Sequence, residues 1–128
     1  MRHRVSILLV IRLLWELLRY DVVMALFGFR RIHRELSGLA TARSAGYQNL
    51  ASVCDALGWA TSLYWKRVHC LQRSAVMVRL LRQNGISAEL VIGYRSRPFF
   101  SHAWVEVQGR VVGDSPAYKD RLHVLERA

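Results

Sequence analysis

Residues 102 to 114 read His-Ala-Trp-Val-Glu-Val-Gln-Gly-Arg-Val-Val-Gly-Asp, and they decide how the chain folds. Segments rich in Val and aromatic residues flank Gln108-Gly109, the composition of two short strands around a turn. Working outward, Ala88 to Tyr94 has the same character, and Arg95-Ser96-Arg97-Pro98 separates it from Ser101 to Val107. Three antiparallel strands are therefore expected, over 88–94, 101–107 and 110–113. Before them, Cys70 to Asn84 places Leu71, Ala75, Val78 and Leu81 along one stripe and turns Arg79, Arg82 and Gln83 toward solvent. Gly85 stands where a helix C-terminal glycine belongs. Helices followed by strands predict an α+β fold, with helices packed on one face of a small antiparallel sheet.

The register of the 102–114 hairpin carries a chemical consequence. A three-residue connection over Val107, Gln108 and Gly109, with Gly109 left-handed, pairs Glu106 with Arg110 and so His102 with Asp114. Opposite residues lie about 5 Å apart at Cβ, within reach for a carboxylate to hold an imidazole. A two-residue turn on Gln108 and Gly109 instead pairs His102 with Ser115 and sends Asp114 to the other face. On the sequence alone, a Cys-His-Asp reading requires the longer turn.

The cysteine for such a reading is Cys70. A thiol attacks a carbonyl as thiolate, and the unpaired N–H groups at a helix start favour negative charge on sulfur and on a developing oxyanion. In that arrangement Asp114 orients His102, and His102 takes the thiol proton and returns it to a leaving amine. Each residue alone has a plainer explanation: a buried cysteine at a helix start, a surface histidine on an edge strand, an aspartate in a turn before Ser115-Pro116. Arg73 and Ser74 follow the nucleophile and are either first-turn helix residues or substrate contacts. Trp104 alternates with His102 and either walls the site or packs in the core. His69 is a weak candidate for the base, because neighbours on a helix point apart. Cys54, Cys70, His69, His102 and His123 fall into no metal-ligand spacing, so no metal and no cofactor are called for.

Upstream, Val5 to about Leu26 is rich in Leu, Ile and Val, with Arg12, Glu16 and Arg19 gathered on one side of a helix. Leu8, Ile11, Trp15, Leu18 and Val22 occupy the rest, a wider apolar surface than a half-buried helix needs. Three readings are open: a core helix, a docking face for a partner protein, or a helix lying on a membrane surface. Residues 37–49 lose periodicity and gather small and polar residues, marking a linker between an N-terminal amphipathic helical segment (1–36) and a catalytic domain (50–128). Asn49 is placed to cap a helix with Leu50, Val53, Cys54, Leu57 and Ala60 on one side, where Cys54 serves as a small hydrophobe.

The chain has 128 residues, 52% of them hydrophobic, enough for one domain with one core. Its formal charge of +10 favours an anionic partner, yet the arginines are scattered from Arg2 to Arg127 with no nucleic-acid motif, so nucleic acid is not expected as the partner. Arg12, Glu16 and Arg19 interrupt the N-terminal apolar run, which excludes a secretory signal or a spanning helix there. The two cysteines in a chain of this size fit a reducing cytoplasm.

A cysteine at a helix start, a histidine on a strand and an aspartate after the next strand are similar in order to the transglutaminase-like and papain-like folds. Cys70-Leu71-Gln72-Arg73-Ser74, Leu80-Leu81-Arg82-Gln83-Asn84-Gly85, Leu90-Val91-Ile92-Gly93, Pro98-Phe99 and His102-Ala103-Trp104-Val105-Glu106 together resemble the B2 proteins of lasso-peptide biosynthesis, over roughly residues 50 to 118. The resemblance implies a leader peptidase that frees a ribosomally made precursor for a separate cyclase. It implies a triad of Cys70, His102 and Asp114, and a preference for threonine at the penultimate leader position. A split form is inferred with it, in which a separate leader-recognition protein brings the precursor; the docking surface expected for that protein, Leu8, Ile11, Trp15 and Leu18, rests on the apolar face of the N-terminal helix and not on the resemblance, which begins near residue 50. Rival readings are a transglutaminase-like acyltransferase or amidase, and a non-catalytic adaptor that binds a peptide.

Overall fold

The computed structural model describes residues 7–41, 50–65 and 68–128. Val5 and Ser6, most of the 37–49 linker and the Asn49 cap lie outside the described residues. The elements run α1 (Ile7–Phe27), α2 (Phe29–Ser37), α3 (Leu50–Leu63), α4 (Cys70–Gln83), β1 (Ala88–Ser96), β2 (Phe99–Val107), β3 (Arg110–Val112), α5 (Ala117–Arg121) and β4 (His123–Arg127). The antiparallel sheet has the order β3-β2-β1-β4. It contains four strands where three were expected. The extra one, β4, is exposed at every residue and so carries no burial periodicity to read.

Along β1 and β2 the faces separate cleanly. Leu90, Ala103 and Val105 join the helices in one large core, while Val91 and Trp104 meet Leu122 on the opposite face. The large core draws residues from α1, α2, α3, α4, β1 and β2, so the N-terminal helices share it with the segment from 50 onward.

Helix α4 runs through the middle and is buried almost all round. Two of its arginines therefore depart from the expected solvent-facing stripe. Arg82 is buried and donates to the carbonyls of Ala88 (2.9 Å), Leu36 (2.5 Å) and Leu39 (3.2 Å), which ties α4 to β1 and to the end of α2. A buried guanidinium is tolerated here because its Nε and Nη1 donors find carbonyl acceptors. Arg79 pairs with Glu16 (Nε to Oε2, 3.3 Å) and with Glu35 (Nη1 to Oε1, 2.6 Å).

The same pairing sets the orientation of α1. Glu16 is buried, and Arg19 reaches Glu35 at 2.6 Å from the other side. Arg12 donates to Gln83 of α4. Glu16 and Arg19 thus turn toward complementary charges on α4 and α2, beside Leu13, Leu17 and Tyr20, while Arg12 stays exposed at the edge of the stripe. Leu8, Ile11, Trp15 and Leu18 are left facing out, 79%, 57%, 64% and 40% exposed. No helix among the described residues is long and apolar enough to cross a membrane.

Candidate active site

Cys70 is the first residue of α4, and its free thiol is exposed, which removes the buried-cysteine reading. The first helical bond runs from the Arg73 N–H to the His69 carbonyl (3.0 Å), so the N–H groups of residues 70 to 72 precede the intrahelical ladder and point out of the helix end. Gln72 fixes that end. Its buried side chain accepts the His69 N–H (3.3 Å) and donates to the Leu17 carbonyl of α1 (2.5 Å). The sequence reading missed this role, although Glx three residues after a helix cap is its usual signal. Cys54, by contrast, is half-buried against the core, and burial pushes its thiol up against the pull of the Arg73 charge.

His102 sits on β2 opposite Gly93 of β1. A Cβ on Gly93 would lie 2.5 Å from Trp104 Cη2 and 2.9 Å from Leu122 Cβ, so the bare backbone there is what lets the Trp104 ring lie flat on β1. Trp104 is 1% exposed and donates its indole N–H to Glu106 Oε2 (2.8 Å). It is a buried neighbour of the imidazole, with ring centroids 6.4 Å apart, which fits the core-packing one of its two expected readings.

The turn into β3 overturns the expected register. Val107 pairs with Arg110, Glu106 with Val111 and Val105 with Val112. The connection is the two-residue turn Gln108 (φ 52°) and Gly109 (φ 76°), whose positive φ values match the twist of a tight hairpin. Extended, this ladder would pair His102 with Ser115. It stops at Val112 instead. Gly113 adopts φ +70°, a value costly for any side-chain-bearing residue, and swings Asp114 back until its Oδ2 lies 2.7 Å from His102 Nε2. The His102–Asp114 contact is therefore present for a different reason from the one the hairpin arithmetic supplied.

Arg73 and Ser74 hold these parts together. Arg73 Nη1 donates to the Gly113 carbonyl (3.1 Å), linking the helix that begins at Cys70 to the bend that aims Asp114. Ser74 is buried, and its Oγ donates to the Ala103 carbonyl (3.2 Å), linking the same helix turn to the strand position beside His102. Asp114 Oδ1 accepts the Ser115 N–H (2.8 Å), so both carboxylate oxygens are engaged. With Nε2–H donated to Asp114, Nδ1 is the basic nitrogen of the neutral ring. Tyr118 of α5 stacks on the imidazole with centroids 3.9 Å apart and planes 26° from parallel. Neither α5 nor Tyr118 was foreseen, because five residues are too few to show helical periodicity.

Cys70 and His102 together line two cavities. One, of about 580 Å³, is bounded by Leu71, Ile92, Tyr94, Phe99 and Leu125. The other, of about 560 Å³, is bounded by His69, Arg73, Ser74, Asp114 and Tyr118. A thiol at a helix end, an imidazole held by a carboxylate and flanking room for a substrate are the parts that acyl transfer draws on. Among the described residues, no three His, Cys, Asp or Glu side chains come together as a metal site.

The microcin J25-processing protein McjB of Escherichia coli is 48% identical to this chain over 56 residues, which make up 44% of this chain and 27% of that protein. The chain thus spans about a quarter of the length of the curated relative it matches. No solved structure matches it significantly. The partial match agrees with the resemblance to lasso-peptide B2 proteins. A family model for the transglutaminase-like superfamily matches residues 14–127, nearly the whole length, and the helix-borne cysteine facing a small antiparallel sheet is in keeping with it: the chain belongs to the transglutaminase-like superfamily.

Proposed function

We propose that this chain is a cysteine peptidase that removes the leader segment of a lasso-peptide precursor, with Cys70 as nucleophile, His102 as proton shuttle and Asp114 as its orienting carboxylate. The observation that carries this reading is the His102–Asp114 pair at 2.7 Å, lining the same cavity as the exposed Cys70 thiol. The partial identity to a microcin-processing protein supports lasso-peptide precursors as the substrate class. The Cys70 sulfur, its proton passed to His102 Nδ1, attacks the carbonyl of the last leader residue. Negative charge on the carbonyl oxygen is met by N–H groups at the start of α4. His102, held by Asp114, gives the proton to the departing core-peptide amine, leaving a thioester on Cys70. Water, deprotonated by the same imidazole, opens the thioester and releases the leader as a free acid.

In this proposal a separate leader-recognition protein delivers the precursor and docks on Leu8, Ile11, Trp15 and Leu18, and a cyclase acts on the freed core. The outward position of those four apolar side chains supports the docking surface. The decisive test is Cys70→Ala, followed by mass spectrometry of a leader-core peptide with the recognition protein present. Cleavage should fall to background while Cys54→Ala still cuts. Retained cleavage by the Cys70 variant would end the peptidase assignment, and a leader product carrying an added amine would favour acyl transfer.

A further inference from the structure

The two cavities beside Cys70 differ in chemistry. The one over Arg73, Ser74 and Asp114 is walled by polar groups that already have partners, Arg73 the Gly113 carbonyl, Ser74 the Ala103 carbonyl and Asp114 the His102 ring. The other is walled by Leu71, Ile92, Tyr94, Phe99 and Leu125, drawn from α4, β1, β2 and β4. Apart from Cys70 and His102, its one charged side chain is Glu126, which faces His33 at 3.4 Å on α2. Phe99 and Leu125 are 76% and 63% exposed, so this wall leaves apolar surface in water directly beside the thiol. Its volume of about 580 Å³ lies within the range of small-ligand sites.

We infer that this cleft receives an apolar side chain, aliphatic or aromatic, of the peptide adjoining the bond that Cys70 attacks; the assignment of that peptide as substrate rests on the peptidase reading above. Binding there removes apolar surface of both partners from water, whereas a charged side chain would lose its hydration and meet no counter-charge but that of Glu126. A peptide seated through this cleft is held with its carbonyl at the sulfur, which converts side-chain binding into rate. Leu71, Ile92 and Leu125 then act as specificity determinants.

The test uses two haloacetamides with one electrophile. Iodoacetamide reports the reactivity of the thiol itself, and N-benzyl-iodoacetamide adds an apolar group without charge. The ratio of their alkylation rates at Cys70, divided by the same ratio for glutathione, reads the cleft alone. About tenfold or more is expected, in line with what apolar pockets gain per added group. Leu125→Asp and Phe99→Ser, both at exposed positions, should each bring the ratio down toward that of glutathione. A ratio equal to that of glutathione in the native protein, or an elevated ratio unchanged in both variants, would overturn the inference. Since no peptide is cut in this measurement, a protein that failed to process any precursor could still pass it, and one that processed a precursor could still fail it.

Discussion

Two apolar surfaces of this molecule stand open to water, and their surroundings differ. The cleft around Ile92 and Leu125 ends at a thiol and an imidazole. The outer face of α1, with Leu8, Ile11, Trp15 and Leu18, is backed by a closed ionic network of Glu16, Arg79, Glu35 and Arg19. In the network every charge has an opposite charge beside it, and its effect is to fix which side of α1 faces inward. Beside the cleft the imidazole–carboxylate pair is just as close, 2.7 Å against 2.6 Å for Arg79–Glu35, yet it borders open space and an exposed thiol. Short charge pairs alone do not mark a reactive site. What distinguishes the two regions is whether a pair faces room for a substrate.

The largest expected effect breaks the cleft and spares α1. Asp114→Asn keeps the side-chain shape but removes the charge that holds the imidazolium, and kcat on the leader peptide should fall by about 10⁴. Binding to the recognition protein, measured separately, should stay as in the native chain. A drop of less than about tenfold would assign Asp114 a structural part.

Much of this site was legible in advance, and the failures are instructive. Cys70 was readable because Gly85 and the stripe of Leu71, Ala75, Val78 and Leu81 bound a helix that begins there. The pairing of His102 with Asp114 was reached through the wrong turn: Gln-Gly adopts the tight two-residue hairpin, and the φ of +70° at Gly113, invisible to strand periodicity, restores the contact. Arg79 and Arg82 looked solvated because sequence pattern cannot see partners such as Glu16, Glu35 and the carbonyls of residues 36, 39 and 88. For α1 the polar stripe was identified correctly and its direction was left open among three readings, since only the fold brings Glu35 and Arg79 opposite it.

The next effect breaks the α1 surface and spares the cleft. Trp15 is 64% exposed, so Trp15→Glu costs the free protein little. In a complex it would put a carboxylate into a water-excluding contact, a loss of about 2 kcal/mol or more, roughly thirtyfold in Kd. Titration calorimetry with the recognition protein would measure this, and alkylation of Cys70 by iodoacetamide would check that the fold survives. Unchanged affinity in a folded variant would rule out docking through this face.

The smallest effect sharpens the cleft itself. Tyr118 lies on the imidazole at 3.9 Å and also borders the polar cavity, so it either steadies His102 or contacts substrate. An aromatic stack of this kind contributes about 0.5–1.5 kcal/mol beyond simple burial, which corresponds to roughly a twofold to tenfold change in rate. If Tyr118 steadies the ring, Tyr118→Leu should lower kcat by that factor with little change in KM, because His102 loses one wall of its slot while substrate contacts persist. Tyr118→Phe keeps the ring face and should restore kcat, whereas a role for the hydroxyl would leave Phe as impaired as Leu. A rise in KM with kcat unchanged would instead assign the tyrosine to uniform substrate binding in the polar cavity.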